Sequence, residues 1–315
     1  MKRIRIPGIL DILLSADSRE IETLAQDLRL DRAYMDRSLP LNRYVLGRVR
    51  KVLQIDGRSL PTVAARDAEG RAAAQISLWN RLNAVAPDLA EGPDELESLA
   101  AYVRGEGLVD ACGPLVQQVV GRLFFSDFKA TSASWEAALV LDKAPRTMNP
   151  VLLVWWAATK RVERAKRLLS GMVQGDLAGV HAVGIALHNI VSGVRVMRQL
   201  FGDPSERLAL SREAARARCL FAPRSVLRQP TASVSSDKGE LTTKTLVMLN
   251  LQAASASSGD RDVIFLRETW SRCPAERWVP ALLEGIWQRA CGLPAKSDSN
   301  GDATGCPFTP PQSSH

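Results

Sequence analysis

A cysteine flanked by arginines is the residue of this chain best suited to carry chemistry. Cys273 lies in the segment 271–278 (SRCPAERW), directly before residues 279–290 (VPALLEGIWQRA), whose apolar spacing predicts a helix. The positive end of that helix and the neighbouring Arg272 and Arg277 favour the thiolate form of the side chain. A thiolate binds soft metals and attacks electrophiles, so Cys273 is a candidate metal ligand or nucleophile.

A second set of candidate residues lies upstream of this cysteine. Glu213 and Arg216 are three positions apart on a predicted helix, so they share a face and can form an ion pair. Pro223 follows, and then Arg228 within a β-like run. A turn-forming segment leads into residues 239–247 (GELTTKTLV), whose alternating Thr and Val predict the second strand of a hairpin. The chain thus predicts a fixed order of helix, proline, strand, hairpin and cysteine.

This order of motifs resembles the C-terminal half of the cytochrome P-450 family. The resemblance covers about residues 107–292 and is strongest over 213–278. The family's cysteine loop, F-x-x-G-x-x-x-C-x-G, is matched best at its end, with Ala275 in place of the last glycine. Phe265 lies eight residues before the cysteine instead of seven, and no glycine lies between them. The resemblance implies a mainly α fold with a small β element, in a shortened form.

The resemblance also implies roles for individual residues. Cys273 would be the thiolate ligand of the iron of haem b, which needs a cysteine fixed by its loop. Arg228 would point at a haem propionate, for which a guanidinium offers two parallel donors, and Arg272 and Arg81 would be further cofactor contacts. Glu213 and Arg216 would form a buried structural pair.

The distal side of the implied haem is expected on a long predicted helix, residues 175–201. When residues 178–182 (AGVHA) are laid on the family's A/G-G-x-D/E-T motif, His181 takes the acid position and Ala182 the threonine position. The usual proton relay is then absent. His181 could act as an acid or base for a peroxide, or bind the iron from the distal side. The alternative is that His181 and His188 are core or interface histidines.

Three hypotheses for function follow from these residues. The first is a divergent haem-thiolate oxidoreductase, either a monooxygenase or a peroxide-using enzyme, acting on a small apolar organic substrate, with an acidic electron-transfer protein or a partner enzyme beside it. The second is a haem-free relative of the cytochromes P-450 that stabilises or activates a partner enzyme. The third is an unrelated α-rich interaction module.

Composition narrows the choice of function class. The 315 residues carry a net charge of +7, but no Lys/Arg run of five or more and few tyrosines, which argues against nucleic-acid binding. Five scattered cysteines without a C-x-x-C pair argue against a zinc site or redox dithiol and favour a reducing cytoplasm. No apolar run reaches the ~18 residues that a membrane span requires, and no P-loop or G-x-S-x-G motif is present.

The elements that must position these residues are mostly helical. Ala, Leu, Arg and Glu dominate, and helices are predicted over 9–30 and 66–84 among others. A Gly/Pro/Ser-rich tail, 296–315, is predicted to be disordered. We therefore predict one domain over 1–295, whose first part, 1–106, is helical and resembles no family.

Overall fold

The computed structural model describes residues 1–32, 34, 38–60, 63–85, 94–258 and 262–292, and the predicted tail lies outside them. Its helices are α1 (Ser18–Gln26), α2 (Pro40–Leu53), α3 (Arg71–Val85), α4 (Asp94–Val103), α5 (Cys112–Arg122), α6 (Ser132–Lys143), α7 (Pro150–Ala158), α8 (Arg161–Met172), α9 (Leu177–His181), α10 (Leu187–Gly202), α11 (Pro204–Ala209), α12 (Arg212–Cys219), α13 (Leu251–Ser258), α14 (Asp262–Phe265) and α15 (Trp278–Ala290). The strands are β1 (Lys2–Ile6), β2 (Leu10–Ser15), β3 (Leu30–Asp31), β4 (Gln54–Ile55), β5 (Arg58–Ser59), β6 (Val226–Pro230) and β7 (Leu246–Leu249). The predicted fold class, mainly α with a small β element, is confirmed.

One long helix runs through the centre of the helical core. α9, a π-helical turn over Ala182–Ala186 and α10 are continuous from Leu177 to Gly202, which confirms the predicted long helix. The Asp176 carboxylate caps its start by accepting from the backbone N–H groups of Ala178 and Gly179. This helix is apolar enough to cross a membrane by length and composition, but half of its most apolar stretch is buried in the protein. Its apolar face packs against α4, α5 and α12.

The helices approach each other closely where α10 crosses α12. A Cβ atom placed on Gly193 would lie 2.2 Å from the backbone oxygen of Cys219. Only glycine therefore allows this crossing, which fixes α12 and the strand that follows it relative to the long helix.

A five-stranded sheet with the order β1-β2-β7-β6-β3 forms the second part of the fold. The predicted hairpin is present: β6 and β7 are antiparallel, with Val226 opposite Leu249 and Arg228 opposite Val247. Gly239 turns the chain between them at φ +90°, in the left-handed region that favours glycine. A second apolar core lies under this sheet, and Leu220 and Val279 contact both cores. The sheet is thereby held against the helices around the arginine-bearing strand β6.

The prediction of a helical N-terminal part is wrong over its first residues. Residues 9–30 include the strand β2, which pairs with β1 and runs parallel to β7, and only α1 is helical there. The reason is the Pro7–Gly8 turn, where Gly8 has φ +74° and the Ile9 N–H donates to the Ile6 carbonyl at 3.0 Å. Pairing with β7 then overrides the helix-like spacing of the leucines.

Candidate functional site

Three arginines from three different segments surround the indole ring of Trp270. The guanidinium carbons of Arg71, Arg228 and Arg32 lie 4.7, 5.1 and 5.7 Å from its ring centroid. Arg32 follows β3, Arg71 begins α3, and Arg228 lies in β6. We call these three side chains the arginine cluster. Cation–π contact with one indole stabilises each of them by about 1–2 kcal/mol when desolvated, less than the cost of burying three like charges together.

The donors of the arginine cluster are incompletely used. The Arg228 side chain is fully buried, and it donates to the Leu227 carbonyl at 2.9 Å and to the Ser271 hydroxyl at 2.6 Å. Its Nε, the Nε of Arg71 and the Nε1 of Trp270 are buried without a hydrogen-bond partner. Within the part of the chain that the structure describes, neither Arg71 nor Arg228 forms an ion pair. Buried polar groups of this kind normally have partners, so these donors indicate a place for an anion.

Burial affects the charge of the arginine cluster. It lowers the pKa of Arg32 to about 10 and holds the pKa of Arg228 well below its usual range, and the neighbouring arginines act in the same direction. Asp31 lies close enough to oppose these shifts, but its carboxylate accepts from the backbone N–H groups of Arg32 and Arg66. The cluster therefore keeps an excess of positive charge.

Cys273 lies on the loop next to this cluster. Its N–H donates to the Phe265 carbonyl at 2.8 Å, which closes the loop between α14 and the cysteine. Ser271, two positions before it, is the residue that accepts from Arg228. Leu266 adopts a left-handed conformation at φ +49°, which is costly for a residue with a Cβ. In this loop, which contains no glycine between Phe265 and Cys273, the left-handed position is thus taken by a leucine.

The surroundings of Cys273 in the ligand-free protein favour its thiol over the expected thiolate. Burial raises the pKa of its thiol, and the backbone N–H of Ala275 and the charge of Arg32 oppose this only in part. α15 begins at Trp278, five positions beyond the cysteine, so its positive end is not at the sulfur. Arg272 is turned away, because it donates from Nε to the carboxylate of Glu276 at 2.6 Å.

His181 lies at the last position of α9, directly before the π-helical turn. Turns of this kind interrupt the regular helix and are frequent at functional sites. Burial and the positive charge of Arg32 lower the pKa of His181 to about 4, so the imidazole is neutral at pH 7. The charge of Arg32 thus acts on both His181 and Cys273.

A cavity of about 620 Å³ opens beside the arginine cluster. Its walls are formed by Arg32, Arg71, Tyr34, Arg50, Leu53, Val63, Ala64, Ala68, Ala74 and Leu177, among others. One part of the wall carries four arginines and Glu69, so it is cationic on balance, and the other part is apolar. A ligand that fits must carry both anionic groups and a large apolar body.

The comparisons with known proteins give matches at the level of the fold. No protein-family model and no curated protein sequence matches the chain. A six-coordinated cytochrome P450 from Thermus thermophilus superposes with a TM-score of 0.59 at 18% identity, over 90% of this chain and 84% of that one. CYP101J2 gives 0.56 at 14% identity over 91% and 81%, and cytochrome P450EX alpha, solved with myristic acid, gives 0.54 at 13% over 91% and 82%. The chain has a cytochrome P450 fold.

Within this cytochrome P450 fold, two cofactor contacts expected from the sequence lie elsewhere. Arg81 is exposed and donates to the Asp176 carboxylate at 2.9 Å. It lies ten positions after Arg71 on α3, which is about 15 Å further along the helix axis. Arg272 contacts Glu276 and lies over the ring of Trp79 at 5.8 Å. Neither guanidinium belongs to the arginine cluster, although Arg228 does.

The expected pairing of Glu213 with Arg216 is also corrected. Glu213 is exposed, and Arg216 instead donates to the carboxylate of Glu284 on α15 at 3.0 Å. The reason is the orientation of α12, whose buried face carries Ala215 and Cys219 towards α10 and α15. The i,i+3 spacing allows a pair on the helix surface, but the facing helix offers Arg216 a less exposed partner.

Sequence reasoning missed Arg32, Arg71 and Trp270. A signal existed for Arg71, because it lies on the buried stripe of α3 with Leu78 and Leu82, seven and eleven positions further on. A charged residue on an apolar stripe indicates a buried position at which the charge has a partner or a ligand. No local pattern marks the other two residues, because only the folded chain brings them together.

Proposed function

We propose that the chain is a haem-thiolate oxidoreductase that holds haem b in the cavity beside the arginine cluster, with Cys273 as the iron ligand. The observation that carries this proposal is the set of buried, unpartnered donors around Trp270 next to the cysteine loop. The cytochrome P450 fold supports the same assignment.

The donors of the arginine cluster fit haem b in charge. Haem b carries two carboxylates on a large apolar ring, and the cavity that Arg32 and Arg71 line has both cationic and apolar residues in its wall. The Nε atoms of Arg71 and Arg228 and the Nε1 of Trp270 are N–H groups that carboxylate oxygens would satisfy. Arg32, whose charge acts on both His181 and Cys273, would add a third cation to the propionate site.

Cys273 would hold the iron, and the haem would supply the oxidative chemistry when bound. The raised pKa of the buried thiol is compatible with this role, because coordination to a metal deprotonates a thiol outright. The backbone N–H of Ala275 already lies close enough to stabilise negative charge on the sulfur. A thiolate ligand with an N–H donor beside it is the usual way in which a protein tunes such a site.

His181 would act as an acid or base for the oxidant. Its imidazole is neutral at pH 7, so an unprotonated ring nitrogen can accept a proton from a bound oxidant and return it. Ala182 beside it has no hydroxyl group to complete a relay. Peroxide is already reduced by two electrons relative to dioxygen. It therefore needs neither an electron donor nor a relay for two protons. For this reason we favour peroxide as the oxidant.

The substrate would be a small apolar organic molecule. Leu53, Val63, Ala64, Ala74 and Leu177 form the apolar part of the cavity wall. If dioxygen is the oxidant instead, an acidic electron-transfer protein would dock near the cysteine loop, where Arg267 and Arg277 are exposed.

The test of this proposal is a spectrum. The protein is purified from cells supplied with haem, and the reduced, CO-bound absorption spectrum is compared for wild type, Cys273→Ser and the matched control Cys219→Ala, which alters another free cysteine. We expect the thiolate signature in wild type and control and its loss in Cys273→Ser. A colourless wild-type protein, or a spectrum that the Cys273 substitution leaves unchanged, overturns the proposal.

A further inference from the structure

We propose that one face of the protein docks on the surface of an anionic lipid membrane, independently of any haem. The face contains large apolar side chains that are exposed to solvent: Ile6, Ile9, Leu41, Tyr44, Met148, Val151, Val154 and Trp155. We call it the apolar face. It is formed by the β1–β2 turn, the start of α2, and α7 with the residue before its cap.

The members of the apolar face are linked by direct contacts. The Leu41 N–H donates to the Ile9 carbonyl at 3.1 Å, which joins the β1–β2 turn to α2. Tyr44 lies one turn further along α2, and the Arg48 guanidinium is 5.7 Å from its ring. The same guanidinium lies 3.5 Å from the Met148 sulfur, and its other donors bond carbonyls of the residues before α7. The three segments therefore present one continuous surface.

α7 is the centre of this surface. It reads PVLLVWWAA, and only Trp156 on it is buried. Met148, Val151, Val154 and Trp155 are 75%, 76%, 70% and 50% exposed. Soluble proteins rarely leave a contiguous patch of this kind in water unless it contacts a partner or a membrane.

The charges around the apolar face determine which partner it fits. The segments 1–11, 40–56 and 142–163 contain eleven Lys and Arg against four Asp and Glu, whereas the rest of the chain contains 30 basic and 30 acidic residues. The positive net charge of the protein thus comes from the segments that form this face. Among the residues that the structure describes, four of these cations form ion pairs: Arg3 with Asp11, Lys51 with Glu163, Arg146 with Asp142 and Arg161 with Glu136. Lys2, Arg5, Arg43 and Lys160 are exposed.

A bilayer with anionic headgroups matches this combination better than a second copy of the chain. In a twofold dimer the basic rim would face itself, and like charges across an interface are costly. An apolar helix with aromatic residues at its edge and Lys/Arg around it is typical of proteins that lie in the membrane interface. Trp155 and Tyr44 each have an arginine over the ring, Arg161 at 5.8 Å and Arg48 at 5.7 Å.

Vesicle sedimentation tests the proposal. The full-length protein is mixed with vesicles of phosphatidylcholine alone or of phosphatidylcholine with about 30% phosphatidylserine, at low and high salt. We expect binding to the anionic vesicles that weakens as salt is raised. The triple variant Val151→Ser/Val154→Ser/Trp155→Ser should lower the partition coefficient roughly tenfold or more. The variant Arg43→Gln/Lys160→Gln should weaken binding to anionic vesicles only.

A matched control separates the apolar face from exposed apolar residues in general. Leu108 and Val109 are 79% and 64% exposed on the segment between α4 and α5, so Leu108→Ser/Val109→Ser should bind vesicles like wild type. Circular dichroism checks that each variant is folded. Absence of binding to anionic vesicles, equal binding of the triple variant, or a concentration-dependent dimer that the triple variant abolishes would each overturn the proposal. None of these readouts requires haem.

Discussion

At the level of single residues, His181 links the candidate site to the stability of the protein. Its pKa of about 4 lies below the ordinary value of 6.5, because the side chain is buried near Arg32. The unfolded chain binds a proton that the folded protein rejects, so the free energy of unfolding falls as pH drops from 6.5 towards 4. The substitution His181→Gln should remove this loss, which amounts to at most about 3 kcal/mol. Urea unfolding at neutral pH and near pH 4.5 measures it.

His188→Gln is a parallel test of the same effect, because burial also lowers the pKa of His188. Its ring nitrogen bonds the Ala138 carbonyl at 3.1 Å, and its ring lies in tilted contact with that of Trp135. This second histidine lies on α10, away from the arginine cluster. If wild type and His181→Gln lose stability in parallel between neutral pH and pH 4.5, His181 is not buried as the structure places it.

The thiol of Cys273 should react slowly in the ligand-free protein. Burial raises its pKa, so little thiolate is present at neutral pH. We expect alkylation by iodoacetamide at about pH 7.5 to be roughly tenfold or more slower than that of glutathione, and to accelerate as pH rises. Mass spectrometry of the peptide that carries Cys273 measures the rate. A rate equal to or above that of glutathione contradicts the proposed burial of the thiol.

The sequence predicted the positions of the candidate residues better than it predicted their charge states and their partners. Arg228 lies in the predicted hairpin and Cys273 on the loop before the apolar helix α15, because these are elements that the sequence makes recognisable. The charge state of the cysteine and the partners of Arg272 and Arg216 depend on side chains of distant segments. Spacing along the chain contains no information about those contacts.

At the level of elements, the crossing of α10 and α12 is the contact most sensitive to a small change. Gly193→Ala would place a Cβ 2.2 Å from the Cys219 backbone oxygen, and a backbone atom cannot move aside as a flexible side chain can. We expect the free energy of unfolding to fall by about 2–3 kcal/mol. Thermal and urea unfolding of the ligand-free protein measure the loss.

Gly202→Ala is the control, because Gly202 is on the same helix and has no atom within 4 Å of an added Cβ. Alanine there should leave stability unchanged or raise it by less than about 1 kcal/mol, as expected from helix propensity. Equal effects of the two substitutions would show that the α10–α12 crossing is wider than described.

The long helix and the local β6–β7 hairpin were predictable, and the strands at the start of the chain were not. The long helix was visible as an apolar stripe, of which the structure buries Val191 and Met197 and leaves His181 and His188 half-buried. β2 was not visible, because its partner β7 lies more than two hundred residues away, and β1 pairs with β2. A single-sequence pattern records local spacing, and long-range pairing decides such segments.

At the level of the whole molecule, the fold is clear although sequence matches are absent. A cytochrome P450 fold with 13–18% identity to similar structures shows that the fold needs an apolar pattern and a few tight contacts more than particular residues. The identity of a charged residue in the interior does matter, because burial of a guanidinium lowers stability unless a partner compensates for its desolvation. We therefore expect the arginine cluster to lower the stability of the ligand-free protein while it provides the donors for an anionic ligand.

The substitution Arg71→Met tests whether stability rises while haem affinity falls. Arg71 is 6% exposed and its Nε has no partner, so an apolar side chain of similar length should raise the free energy of unfolding of the ligand-free protein by about 1–2 kcal/mol. The same change removes a charged donor from the proposed propionate site, so haem affinity should fall about tenfold or more. Arg81→Met, on the same helix but exposed and paired with Asp176, should change neither quantity appreciably. Urea unfolding without haem and a haem titration by absorbance measure the two effects. A variant that loses stability, or binds haem as wild type does, would show that Arg71 serves only the packing of α3.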